Sequence, residues 1–138
     1  MEESLFKQLG GRPTLERVHK SFYDKMYADL QLKHYFEGIH QKTIEEQQTD
    51  FMKALMGGGD VFTGKLPKNC HQHMYITPEL FERRMALYES SMQECGISAS
   101  LAEQWIRLAR ACKNQVVKQD LSQCQKRYPF DKIILPKD

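Results

Sequence analysis

A chain of 138 residues with 41% hydrophobic and 28% charged side chains has the size and composition of one globular domain. The net charge of +2, without a long run of like charges, argues weakly against nucleic acid as the main partner. No apolar run approaches the roughly 20 residues of a membrane span, and the start Met1-Glu2-Glu3-Ser4 has no signal-peptide core. We therefore expect a cytoplasmic protein, whose four cysteines, without a C-x-x-C pair, are free thiols.

Two helices and a short helical piece are predicted in the first third of the chain. The segment Ser4–Leu9 can form one or two turns, which Gly10-Gly11 end. Pro13 suits the first turn of the next helix, and its apolar residues recur on one face, with Tyr23 at the edge: Leu15, Val18, Phe22 and Met26. A short helical piece is expected over Leu30–Phe36.

The next helix begins, by prediction, at the capping box Thr43-Ile44-Glu45-Glu46 and ends at Gly57-Gly58-Gly59. Its apolar face consists of Ile44, Phe51, Met52 and Leu55, and Gln48 lies within that face. A polar amide in an apolar row needs a hydrogen-bond partner once it is buried.

A short segment, Lys68–Ile76, lies between a glycine-rich loop and a helix start at Thr77-Pro78, and it carries His71. The helix that follows has an apolar face and ends at Gly96: Phe81, Met85, Tyr88, Met92 and Cys95. A second capping box, Ser100-Leu101-Ala102-Glu103, predicts the last helix. Helical periodicity fades after Leu121, so we expect an all-α chain with four substantial helices and a C-terminal extension.

Several of these residues together resemble the group I truncated haemoglobins. The similar stretches follow in the family's order over about Ser4–Val117: Leu5–Gly11, Phe22-Tyr23, Ala28-Asp29, Tyr35-Phe36, Gln47–Phe51, Gly57-Gly58, Phe62–Gly64, His71 and Ile76-Thr77. The resemblance implies a truncated globin-like sandwich, two helices over two around haem b (iron protoporphyrin IX). It divides the chain into a globin domain, residues 1–120, and an extension, residues 121–138, that is partly ordered or docked on the domain.

The resemblance also implies a role for individual residues. His71 matches the proximal histidine that binds the haem iron, while Tyr23 and Gln48 match the distal positions that hydrogen-bond a ligand. The apolar positions that it implies along the haem or the ligand path are Phe36, Ile44, Phe51, Met52, Phe62, Phe81 and Met85. A phenol and an amide that donate to a polarised ligand give a reason for Tyr23 and Gln48 beside an apolar face.

The remaining histidines are expected to lie elsewhere. His73 follows His71 by two residues, a helical spacing that points it away from the same ligand, and we expect it in solvent. Cys70, His71 and His73 lack the fourth ligand and the spacing of a structural zinc site. His19, His34 and His40 are expected at the surface.

The functional hypotheses belong to two classes. In the first, a haem protein binds O₂, NO and CO, with NO dioxygenation as a reaction that needs an unidentified reductase; ligand sensing and peroxide or nitrite chemistry are alternatives within it. In the second, a non-haem helical module binds a partner through an apolar groove. We expect a monomer, and we expect truncation after Gln119 to leave haem binding intact, although Ile133-Ile134-Leu135 could dock on the body.

Overall fold

A computed structural model describes residues 3–59 and 62–137, and it confirms the all-α class and the two-over-two arrangement. The α-helices are α1 Leu5–Leu9, α2 Arg12–Ala28, α3 Gln41–Leu55, α4 Pro67–His71, α5 Pro78–Glu94, α6 Ala99–Arg110 and α7 Lys113–Val116; Lys33–Phe36 and Leu121–Gln123 are 3₁₀ turns. Helix α2 packs on α3 and on α5, which in turn packs on α6. None of the helices in the described ranges has the length and hydropathy to cross a bilayer.

Glycine and proline set the bounds of α2 and α5 much as expected. Gly10 and Gly11 have φ angles of 104° and 79°, which only glycine adopts without strain, and α2 begins directly after them. At α5 the Thr77 hydroxyl accepts a hydrogen bond from the Leu80 amide at 3.2 Å, so Thr77 caps the helix ahead of Pro78.

Both predicted capping boxes are wrong, because each helix begins earlier than its box. Helix α3 begins at Gln41, whose side-chain nitrogen donates to Asp24 Oδ1 on α2 at 2.6 Å, a contact between helices that local sequence does not show. Helix α6 begins after Ser98, whose hydroxyl accepts from the Leu101 amide at 3.3 Å. The two helices are therefore extended by a turn or less beyond the predicted starts.

The core lies between these helices and is rich in rings and methionine. The Phe22 ring on α2 stacks on the Tyr88 ring of α5, with centroids 4.2 Å apart and planes 10° apart, and Trp105 of α6 packs edge-on against Tyr88. Each of these three residues is 0% exposed. This aromatic centre connects α2, α5 and α6.

His19 belongs to the core, so the expectation that it lies at the surface is wrong. It is 0% exposed because it follows Leu15 by four residues and therefore shares the buried face of α2. Its Nδ1 lies 2.7 Å from Thr49 Oγ1 and its Nε2 lies 2.6 Å from the Tyr88 hydroxyl. Trp105 Nε1 donates to the same hydroxyl at 3.0 Å. Burial lowers the pKa of His19 to about 3, so its ring is neutral.

The C-terminal segment runs along the residues that follow α4. The Gln125 amide donates to the Gln72 carbonyl at 2.7 Å, and the Ile134 amide donates to the His73 carbonyl at 2.8 Å. The Tyr75 amide donates in return to the Ile134 carbonyl at 2.8 Å. Beneath this cover His73 is only 3% exposed, so the expectation that it lies in solvent is wrong.

Candidate functional site

His71 is the last residue of α4, and a single hydrogen bond determines which of its ring nitrogens carries the proton. Its Nδ1 lies 2.7 Å from the Pro67 carbonyl oxygen, one turn earlier in the helix. A carbonyl only accepts, so Nδ1 carries the hydrogen and Nε2 keeps its lone pair. Burial lowers the pKa of His71 to about 4, which keeps the ring neutral at pH 7. The structure therefore supplies the acceptor that the sequence did not show.

The second ring nitrogen of His71 faces accessible space. Among the described residues no hydrogen bond occupies Nε2, and the buried side-chain nitrogens without a partner are His34 Nδ1 and His73 Nδ1. The His71 side chain keeps accessible surface even though protein atoms surround it. A neutral imidazole with an open lone pair is the form that binds a metal ion.

Lys118 fixes the backbone of the His71 segment, and sequence reasoning missed it. Its Nζ donates to the carbonyls of His71 at 2.9 Å, Met74 at 3.2 Å and Val116 at 3.1 Å, and the residue is only 8% exposed. Three carbonyls thus take the three protons of one buried ammonium group. In the sequence, the apolar pair Val116-Val117 directly before Lys118 was a sign that this lysine could be buried.

The apolar residues predicted for the site fall into two groups by exposure. Those that keep accessible surface are Phe36, Ile44, Phe51 and Phe62, whereas those that are buried, at 1% exposure, are Met52, Phe81 and Met85. Phe51 meets Phe62 edge-on at 5.2 Å between centroids, and Phe36 meets Tyr23 edge-on at 6.1 Å. Phe51 of α3 therefore packs against the loop after α3, and Phe36 of the 3₁₀ turn packs against α2.

The two polar residues predicted for the site lie on different helices and have different surroundings. Tyr23 on α2 is 3% exposed, and burial raises its pKa while the nearby Arg84 guanidinium opposes that rise. Gln48 on α3 is half-buried, and hydrogen bonding from its side chain opposes the rise that burial causes in the pKa of Tyr88.

Arg84 lies against the aromatic centre of the core, a position that the sequence did not show. Its guanidinium carbon is 5.1 Å from the centroid of the Phe22 ring and 5.6 Å from that of Tyr88. Arg84 follows Phe81 by three residues and precedes Tyr88 by four, so it shares their face of α5. Apolar periodicity does not show a charged residue on this face of α5.

A surface depression of about 450 Å³ lies away from this site. Ion pairs form much of its lining, with Lys20 bound to Asp24 at 2.8 Å and Lys25 bound to Glu94 at 2.7 Å. His71 is not among its lining residues, so we do not assign it a role in the site.

Comparison with known proteins gives one consistent match. The sequence profile of the bacterial-like globin family matches residues 4–118. The group 1 truncated hemoglobin of Tetrahymena thermophila is 29% identical over 97 residues, which are 70% of this chain and 80% of that protein. The group 1 truncated hemoglobin GlbN of Mycolicibacterium paratuberculosis is 35% identical over 78 residues, 56% of this chain and 57% of that protein.

A solved structure has the same fold. The truncated hemoglobin of Tetrahymena pyriformis in its Fe(III) form superposes with a TM-score of 0.78 at 22% identity, and the match covers 85% of this chain and 100% of that one. At this identity the likeness establishes the fold, while the family profile establishes the relationship.

Proposed function

Since this chain belongs to the bacterial-like globin family and is a truncated haemoglobin, we propose that His71 binds the iron of its haem b and that Tyr23 and Gln48 hydrogen-bond the ligand. The observation that carries this proposal is the hydrogen bond of 2.7 Å between His71 Nδ1 and the Pro67 carbonyl. A histidine that binds a metal through one nitrogen almost always donates its other N–H to such an acceptor. The neutral ring and the open Nε2 fit an axial ligand of haem.

The apolar surroundings fit a porphyrin as well. Phe36, Ile44, Phe51 and Phe62 keep accessible surface that a flat apolar ring system would cover. We assign contact with the haem to these four residues, and support from behind to Met52, Phe81 and Met85. Lys118 keeps the backbone of the axial histidine in place through its bond of 2.9 Å to the His71 carbonyl.

When bound, the haem iron supplies the position at which O₂, NO and CO attach. The role of the chain is to place hydrogen-bond donors around that position. The buried Tyr23 phenol stays protonated because its pKa is raised, so it can donate to a polar ligand. The Gln48 amide can donate as well, provided that it turns from Tyr88 toward the ligand.

A pocket with two such donors favours slow release of O₂ over rapid delivery. We propose the oxidation of NO by O₂ to nitrate as the reaction that this pocket suits. Each turnover consumes one electron, so an external reductase would have to act with this protein. Ligand sensing and peroxide or nitrite chemistry use the same donors and remain the alternative proposals.

The distal donors are tested by the rate at which O₂ leaves the ferrous protein. A hydrogen bond to a charged acceptor contributes about 1.5–3 kcal/mol, so Tyr23→Phe should speed O₂ release roughly ten- to a hundredfold. CO carries little charge on its outer atom, so its release serves as the control and should change far less. Stopped-flow displacement measures both rates.

The second donor is tested in the same experiment. Gln48→Leu should have a smaller effect alone and a larger effect combined with Tyr23→Phe, because Gln48 can partly replace the lost phenol. Equal O₂ release rates for the wild type and the double variant would show that other groups hold the ligand.

A further inference from the structure

Lys118 brings a positive charge to the backbone of the proposed axial ligand, and the geometry of its hydrogen bonds establishes that charge. Its Nζ lies 2.9 Å from the His71 carbonyl oxygen, 3.2 Å from that of Met74 and 3.1 Å from that of Val116. A carbonyl oxygen only accepts, so each of the three contacts needs an N–H of its own. A neutral amine has two N–H groups and an ammonium group has three, so Lys118 is protonated in the folded chain.

This charge is buried, and no carboxylate among the described residues forms an ion pair with it. Lys118 is 8% exposed, and the ion pairs in the described ranges do not include it. The buried carboxylate of the C-terminal segment, Asp131, is occupied by the Arg127 guanidinium, which donates to it at 2.7 and 2.8 Å. Burial lowers the pKa of Lys118, and the three hydrogen bonds stabilise the charged form against that effect. A charge held away from water is weakly screened, so it acts on groups nearby.

The backbone of Lys118 also holds this charge in one place. The Lys118 amide donates to the Ile76 carbonyl at 2.8 Å, while its side chain binds the His71 carbonyl, so the residue contacts both ends of the segment from His71 to Ile76. A surface lysine spreads its charge over many side-chain positions, whereas four hydrogen bonds keep this one still. The ammonium group therefore stays against the residue whose imidazole would bind the iron.

We propose that Lys118 raises the reduction potential of the haem iron and so favours the ferrous state, which is the state that binds O₂. The inference rests on the proposed function, because it requires that His71 bind the iron. Ferric haem carries one positive charge more than ferrous haem, so a fixed positive charge beside the axial ligand destabilises the ferric form more. Fe(III) then takes its one electron more readily from the external reductase that the proposed reaction needs. The charge and burial around an axial ligand are among the means by which a protein sets this potential.

The test is the reduction potential of the haem-loaded protein, titrated with dithionite in the presence of redox mediators and followed by its absorption spectrum. Lys118→Met removes the charge, and Lys118→Gln removes it while keeping an amide donor. At a fixed potential both variants should raise the ratio of Fe(III) to Fe(II) about tenfold, which lowers the reduction potential by about 59 mV. Lys118→Arg keeps the charge, and its ratio should stay within about twofold of the wild type.

Lys126→Met is the matched control. It removes the same charge from an exposed lysine whose backbone carbonyl accepts from Gln72 Nε2 at 3.2 Å, one residue after His71. Solvent screens the Lys126 charge, so this variant should also stay within about twofold of the wild-type ratio.

Two results would overturn the role of Lys118. One is a wild-type potential in both Lys118→Met and Lys118→Gln, and the other is a potential in Lys118→Arg as low as theirs, because the hydrogen-bond geometry and not the charge would then matter. Should Lys118→Met fail to hold haem, Lys118→Gln and Lys118→Arg decide by the same criteria.

The haem content of His71→Ala, measured alongside, reports on the proposed function separately. Wild-type haem content in that variant would overturn the proposed function and this inference with it. Haem binding that depends on His71, together with unchanged potentials in the neutral Lys118 variants, would overturn the role of Lys118 alone.

Discussion

The polar residues inside the helical core form the connection between its helices. Thr49 of α3, His19 of α2, Tyr88 of α5 and Trp105 of α6 follow one another through contacts of 2.7, 2.6 and 3.0 Å. A buried network of this kind stabilises the fold only while every member stays satisfied. Because burial holds His19 neutral, its protonation would break the chain of contacts in the middle.

His19 should make the fold sensitive to acid. Its pKa is about 3 in the folded chain and about 6.5 when exposed, so the unfolded state binds more protons between these values. The contribution of His19 to stability is therefore complete above pH 6.5 and is lost as the pH falls toward 3. Because of this group, the free energy of unfolding should change by up to about 1.4 kcal/mol per pH unit.

Urea unfolding of the haem-loaded protein between pH 7.5 and 4.5 checks this expectation. His19→Gln cannot titrate, so its free energy of unfolding should fall less steeply with pH than that of the wild type. His40→Gln, at an exposed residue, serves as the control and should follow the wild type. Parallel curves for His19→Gln and the wild type would show that His19 is not the acid-sensitive group.

His71, Tyr23 and Gln48 were selected because they match a family pattern. His19 was expected at the surface, and Arg84 and Lys118 were not selected. The last three are amphipathic or titratable side chains whose surroundings depend on helices far away in sequence. Lys118, for example, donates to the His71 carbonyl 47 residues earlier.

At the scale of elements, α4 is a short helix of 5 residues that other segments hold in place. Lys118 binds its last carbonyl, and the C-terminal segment pairs with the residues that follow it through Gln125 and Ile134. Met74 and Ile134 form a parallel bridge, the one β-type pairing in the part of the chain that the structure describes. The histidine that we propose as the axial ligand thus depends on chain beyond the family match, which ends at residue 118.

Truncation after Gln119 should consequently weaken haem retention, contrary to the expectation from sequence periodicity. It removes three backbone hydrogen bonds to residues 72, 73 and 75, each of which contributes about 0.5–1.5 kcal/mol. We expect haem to transfer to an excess of a haem-scavenging protein about tenfold faster, or more, than from the full chain.

Truncation after Leu135 is the matched control, because it keeps Ile134 and also the Leu135 carbonyl that lies 2.7 Å from His34 Nε2. This shorter truncation should release haem at the wild-type rate. The same transfer rate for the wild type and the chain ending at Gln119 would restore the original expectation that the extension is dispensable.

The starts of α2 and α5 were predictable from glycine, proline and a threonine cap, whereas the starts of α3 and α6 were not. Gly10-Gly11 and Thr77-Pro78 act through backbone conformation and a local cap, so α2 and α5 begin as expected. The start of α3 involves the contact between Gln41 and Asp24 of α2. The local capping residues therefore predicted a start that is too late.

At the scale of the whole molecule, periodicity predicts four amphipathic helices but not how they stack. The two-over-two order came from the resemblance to a family, and the comparisons confirm it. The sequence allowed the C-terminal segment to dock on the domain, but it could not show where, because the docking uses backbone groups such as the Ile134 amide rather than a patterned apolar face. The C-terminal extension and the helical domain nevertheless meet beside His71, the proposed axial ligand.

The most direct measurement is the absorption spectrum of purified His71→Ala after loading with haem, with and without added imidazole. We expect little bound haem in this variant, and recovery of a wild-type-like Soret band when imidazole enters the space that the side chain left. His73→Ala, two residues away and also buried, should keep the wild-type spectrum. A normal Soret band in His71→Ala without imidazole, or its loss in His73→Ala, would contradict the assignment of His71 as the residue that binds the iron.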